Sequence, residues 1–126
     1  MFSRHRAVML LIDVQGRLAD AMVGRDALFA SFKVLIKGLK IMGVPILWVE
    51  QIPSKLGPTR QEIRSLLDET QRPVEKDCFS CCRDTGFMEA FVRTGRDQVI
   101  LTGIESHICV FQTGAELIRA GYPVQV

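Results

Sequence analysis

The sequence has no long hydrophobic run. Near the N-terminus the longest is Ala7 to Ile12, whereas a helix crossing a bilayer needs roughly 20 apolar residues. The same run is too short for an ordinary signal-peptide core, although Arg4, His5 and Arg6 stand before it. Charge of one sign is lacking too: 16 Lys and Arg are mixed among 14 Asp and Glu, a formal net charge of +2. That balance argues against a nucleic-acid partner or a membrane surface. Four cysteines in 126 residues are too few to demand a disulfide framework in a chain able to build its own core. Reduced thiols and a cytoplasmic location are the expectation. Histidine is scarce as well, with only His5 and His107 to complete a zinc site with Cys78, Cys81 and the adjacent Cys82, so neither a metal nor another cofactor is expected.

The elements that are present alternate. Ala7 to Val14, AVMLLIDV, is almost continuously apolar, the pattern of a central parallel strand covered on both faces. Asp26 to Met42 places Leu28, Phe32, Leu35, Ile36 and Leu39 at helical spacing, and Gly43 supplies the stop. Val44 to Glu50 is a second buried strand, followed by a loop from Gln51 to Thr59 and a short helix over Gln61 to Leu67. Val74 to Phe79 is a third strand, Gly86 to Thr94 a helix, Gln98 to Gly103 a fourth strand, Ile108 to Ala120 a helix, and Tyr122 to Val126 a fifth strand.

Alternating strands and helices predict an α/β fold. We expect one domain over 1–126: a Rossmann-like three-layer arrangement with a parallel sheet in the order 3-2-1-4-5 and helices on both faces. No phosphate-cradling glycine pattern follows the first strand, which weakens a nucleotide-binding reading. The last apolar run, YPVQV, stops inside a strand, so the domain is expected to be incomplete at its C-terminus. An unpaired sheet edge there favours self-association.

In an open parallel sheet, ligands bind beyond the carboxyl ends of the strands. Asp13 closes the first strand, Lys76 lies in the third, and Cys109 lies in the opening turn of the helix after the fourth. A cysteine at a helix N-terminus beside a lysine is expected as a thiolate, a competent nucleophile. A carboxylate there can take the thiol proton and return it to a leaving amine.

Three blocks carry a family resemblance: LLIDVQ at Leu10 to Gln15, EKDCFS at Glu75 to Ser80 and GIESHICV at Gly103 to Val110. In that order they resemble the signature blocks of the isochorismatase-like cysteine hydrolases. VEQIPSKLGPT, Val49 to Thr59, is similar to a poorly characterised branch related to nicotinamidases and N-carbamoylsarcosine amidases. The resemblance implies that Asp13 is the acid/base, Lys76 its electrostatic partner and Cys109 the nucleophile. It also implies a cis peptide at Ile104-Glu105, and an oxyanion hole from the N–H groups of Glu105 and Cys109. Metal-binding nicotinamidases carry an Asp-x-His type cluster after the second strand, where this chain has Glu50-Gln51-Ile52-Pro53. The expected activity is therefore metal-independent hydrolysis of a small amide or related carbonyl compound through a thioester. The expected partners are a small-molecule substrate and further copies of the chain. Gln15, Trp48, Gln51, Phe79 and His107 are candidate pocket residues. A second reading keeps the fold without turnover, as a domain for oligomerisation or partner binding.

Overall fold

The computed structural model describes residues 1–126. Five strands form one parallel sheet in the order β3-β2-β1-β4-β5: β1 Ala7–Ile12, β2 Ile46–Gln51, β3 Val74–Lys76, β4 Gln98–Gly103 and β5 Val124–Gln125. This is the expected order. β1 lies at the centre, with Met9 opposite Ile46 on one side and opposite Ile100 on the other. All six of its residues are buried, which is why its sequence shows no polar alternation.

Successive β1 side chains go to opposite faces. Ala7, Met9 and Leu11 join a core with Phe29, Phe32, Ile36 and Leu39 of α2, Arg25–Ile41, and with Trp48 and Ile63. Val8, Leu10 and Ile12 join the other core, with Phe87 and Phe91 of α5, Thr85–Arg93, and Leu117 of α6, Phe111–Arg119. Each of the Val, Leu, Ile, Phe and Met side chains among these contributes about 1.5–3 kcal/mol on burial. The face that each helix buries thus follows from the parity of its β1 neighbours.

Most elements fall where the sequence puts them, with shifts at the ends. The connection after β1 contains a short helix, α1, Gly16–Asp20, and the predicted loop after β2 contains another, α3, Pro53–Leu56. The pair must approach closely: a Cβ on Gly16 would lie 2.0 Å from the Leu56 carbonyl oxygen, and Gly16 has φ +47°. The short helix expected to Leu67 is a single turn, α4, Gln61–Arg64. β3 stops at Lys76, and a 3₁₀ turn, Cys81–Arg83, precedes α5. Between β4 and α6 runs a wide π-helical turn, Ser106–Val110, so the helical path begins two residues before the predicted Ile108. β5 spans two residues rather than the expected five.

Candidate active site

Three strand ends converge on one small cluster. β1 ends at Ile12, and Asp13 then turns left-handed with φ +56°, a conformation that costs a non-glycine residue energy and concentrates at functional positions. Lys76 is the last residue of β3. Its Nζ lies 2.9 Å from Asp13 Oδ2 and 3.8 Å from Cys109 Sγ. The Lys76 and Asp13 side chains are 0% and 3% exposed, and Cys109 is 2% exposed. Asp13, Lys76 and Cys109 thus meet at the carboxyl ends of the strands.

Close contact between β4 and β1 makes this possible. A Cβ on Gly103 would lie 2.6 Å from Val110 Cγ2 and 2.9 Å from the Ile12 carbonyl oxygen. Only glycine lets the turn carrying Cys109 sit against the end of β1. Two further ties join the Lys76 loop to α6: Thr113 Oγ1 accepts from the Cys81 N–H at 3.0 Å, and Ser80 Oγ donates to Glu116 at 2.7 Å. Neither had a sequence signal, because each links residues more than 30 positions apart.

Electrostatics in the cluster differ from the resting thiolate expected from sequence. Burial first, and the Asp13 carboxylate second, push the Cys109 thiol up to about 12, against a weaker downward pull from Lys76. The free site therefore holds a thiol. Burial also raises Asp13, and the Lys76 charge and hydrogen bond offset only part of that rise. For Lys76, burial works against the ammonium, but Asp13 and the facing sulfurs outweigh it and its pKa is raised. The second Asp13 oxygen, Oδ1, is buried without a hydrogen-bond partner. An acceptor so sealed is placed to receive a proton.

The other predicted residues divide. The Ile104-Glu105 peptide is trans, correcting the cis bond implied by resemblance: the structure has no cis peptide. Glu105 adopts φ −104°, ψ 72°, and the wide turn then brings the chain to Cys109 without the ~3–4 kcal/mol of a non-prolyl cis bond. The Glu105 N–H donates to no acceptor within the protein. Gln51 donates nothing to the cluster but accepts from Lys76 through Oε1. Gln15 is 2% exposed and bonded to the Gln51 backbone. Trp48 belongs to the core on the opposite face of the sheet from Cys109, its Nε1 donating to Thr59 Oγ1 at 2.6 Å. Phe79 is half exposed and His107 exposed on the wide turn. One acceptor was missed: the Cys78 carbonyl takes a third Lys76 hydrogen bond at 3.1 Å, and a backbone oxygen leaves no mark in a sequence.

Cys78, Cys81 and Cys82 are free thiols. Cys78 Sγ contacts the Ser80 carbonyl and Cys82 Sγ the Thr113 carbonyl, while Cys81 is fully buried. A cleft of about 350 Å³ opens beside Lys76, between Ile52–Ser54 and Glu75–Asp77.

The Isochorismatase domain family matches residues 7–126. The chain belongs to the isochorismatase family. Its isochorismatase domain is 30% identical over 120 residues to isochorismatase domain-containing protein 2A of Mus musculus, covering 95% of this chain and 56% of that protein. It is 28% identical over 125 residues to the secreted isochorismatase effector Isc1 of Phytophthora sojae, covering 97% and 60%. Among solved structures, the MAR1 ribonuclease of Caenorhabditis elegans superposes with a TM-score of 0.85 at 27% identity, covering 98% of this chain and 62% of that one. The Escherichia coli YcaC gene product, described as an octameric hydrolase of unknown specificity, superposes with a TM-score of 0.84 at 22% identity, covering 98% and 62%. The isochorismatase domain spans about three-fifths of the length of these relatives. No helix is long and apolar enough to cross a membrane.

Proposed function

We propose that this isochorismatase domain belongs to a metal-independent cysteine hydrolase that cleaves a small amide through a thioester on Cys109. One observation carries the reading: a carboxylate, an ammonium and a thiol meet within 2.9 and 3.8 Å at the carboxyl ends of the strands. Because the resting sulfur is a thiol, Asp13 accepts its proton as sulfur attacks the carbonyl carbon. The oxyanion so formed is met by the Glu105 N–H, with the Cys109 N–H at the same turn. Asp13 then returns the proton to the amide nitrogen, the C–N bond breaks and the amine leaves. Water, deprotonated by Asp13, attacks the thioester; the C–S bond breaks, and the proton goes back to sulfur. Lys76 keeps Asp13 ionised for each acceptance.

The raised pKa of Asp13 suits both halves of this cycle. With Cys109 2% exposed, turnover requires a motion that opens the site. Homo-oligomerisation is part of the same proposal, the octameric E. coli neighbour being one example of such assembly.

The test is a panel of small amides combined with intact-mass detection of an acyl adduct. Turnover and the adduct are expected to vanish in Cys109→Ala, and turnover to fall by about 10²–10⁴ in Asp13→Asn. Amide turnover that survives Cys109→Ala overturns the reading. So does a wild-type chain that neither turns over any amide nor modifies Cys109, which instead supports a non-catalytic domain.

A further inference from the structure

At the end of β1 the sheet would lose a hydrogen-bond partner. The ladder to β2 runs as far as the Asp13 N–H, which donates to the Val49 carbonyl at 3.2 Å. The left-handed turn at Asp13 then takes the main chain away, so that Gln51, two residues further on and paired with Lys76 of β3 on its other side, has no strand on its β1 side. The Gln15 side chain fills that place. Its Oε1 accepts from the Gln51 N–H at 2.6 Å, and its Nε2 donates to the Gln51 carbonyl at 3.2 Å and to the Gly57 carbonyl at 2.6 Å. A primary amide presents the same donor and acceptor as a peptide group, so Gln15 replaces the missing strand residue.

The residue held in this way carries the acceptor that faces Lys76. An ammonium has three N–H donors, and those of Lys76 go to Asp13 Oδ2, Gln51 Oε1 and the Cys78 carbonyl. Cys109 Sγ, at 3.8 Å, is a fourth acceptor that can only share one of these donors over a long distance. Because Lys76 only donates, the amide orientation of Gln51 is settled: oxygen toward Lys76, Nε2 without a protein partner and not sealed from solvent.

We infer that Gln15 and Gln51 are positioning residues: Gln15 pins Gln51, and Gln51 holds the third donor of Lys76 so that the ammonium serves Asp13 closely and the Cys109 sulfur only through a long, shared contact. The inference rests on the hydrolase reading above and adds to it the device that keeps the nucleophile protonated until a proton acceptor is used. Around Cys109 the charged and titratable groups are Asp13, Lys76 and Glu105, with Glu50 acting on Asp13 and Cys81 on Lys76. Gln51 is the neutral partner among them whose charge a near-isosteric change can alter.

The experiment measures the rate of Cys109 alkylation by iodoacetamide against pH, read by peptide mass spectrometry, in folded variants verified by circular dichroism. Gln51→Glu adds a negative charge beside Lys76 and is expected to move the profile to higher pH, slowing alkylation about tenfold at fixed pH. Gln51→Met removes the acceptor, frees one Lys76 N–H for sulfur, and is expected to move the profile the opposite way. Gln15→Met should follow Gln51→Met with a smaller shift. A merely structural role predicts no such opposition of sign. Asp13→Asn separates the two readings. If it moves the profile while both Gln51 variants match wild type, the positioning inference is wrong and the hydrolase reading stands. If Asp13→Asn also leaves the profile unchanged, the hydrolase reading itself fails. A measurement on the unaltered protein guards against misfolded variants: the Lys76 ammonium protons should be visible and slow to exchange in a lysine-selective ¹H–¹⁵N spectrum, and rapid exchange overturns the three-acceptor arrangement.

Discussion

Replacing Lys76 by Met isolates the energetics of the buried pair. The ammonium is 2.9 Å from Asp13, and both side chains are almost completely enclosed. Removing one partner of such a pair typically costs about 3–5 kcal/mol, because the remaining charge is left uncompensated. Asp13, however, can escape by taking a proton. Burial raises its pKa even with Lys76 present, and Glu50 pushes the same way; without the ammonium nothing of comparable size opposes them. A carboxyl whose folded pKa lies above its unfolded value contributes stability fully below the unfolded pKa and loses it as pH rises through the folded one. The cost of Lys76→Met should therefore be small near pH 4 and grow toward about pH 8, by about 1.4 kcal/mol for each unit by which the substitution raises Asp13. Urea denaturation followed by circular dichroism, on both proteins across that range, measures the difference in unfolding free energy. A wild-type-to-variant gap that is independent of pH, or that narrows as pH rises, refutes the reasoning.

Gly103→Ala should destabilise the domain by about 1–3 kcal/mol and lower Cys109 reactivity, since the new methyl meets Val110 and the Ile12 carbonyl; thermal melts and alkylation of the same samples check both. A variant with wild-type stability and reactivity counts against the close approach of β4 to β1. Cys81, fully buried with its thiol pushed up to about 12, should remain unmodified by iodoacetamide in the native protein near neutral pH while half-buried Cys82 reacts. Peptide mapping in native and unfolded samples reads this directly, and equal labelling of the two would place Cys81 elsewhere.

The sheet was legible from residue order alone. A central strand covered on both faces has to be apolar at every position, and Ala7 to Ile12 is. Helices separating such strands leave parallel pairing with right-handed crossovers as the ready solution, and the observed order is the common doubly wound one that was expected. The positions of Asp13 and Cys109 at or just beyond strand ends were likewise apparent, since each interrupts or follows an apolar run; Lys76 was expected inside a strand running to Phe79, and the end of β3 at Lys76 is set by the fold. Helix ends were less legible: the wide turn from Ser106 to Val110 and the short helix over Gly16–Asp20 are set by tertiary fit at Gly103 and Gly16, and local propensity does not encode them.

Only the folded chain decided the protonation of the site. Sequence adjacency to a helix start and a lysine suggested a thiolate; burial and the charge of Asp13, 96 positions away in the chain, make it a thiol. The Gln15 amide standing in for a strand depends on where Asp13 turns the backbone out of the sheet. Periodicity reports which residues are hidden, because burial repeats along an element. Desolvation and the partner of each hydrogen bond are sums over neighbours that only the three-dimensional path assembles.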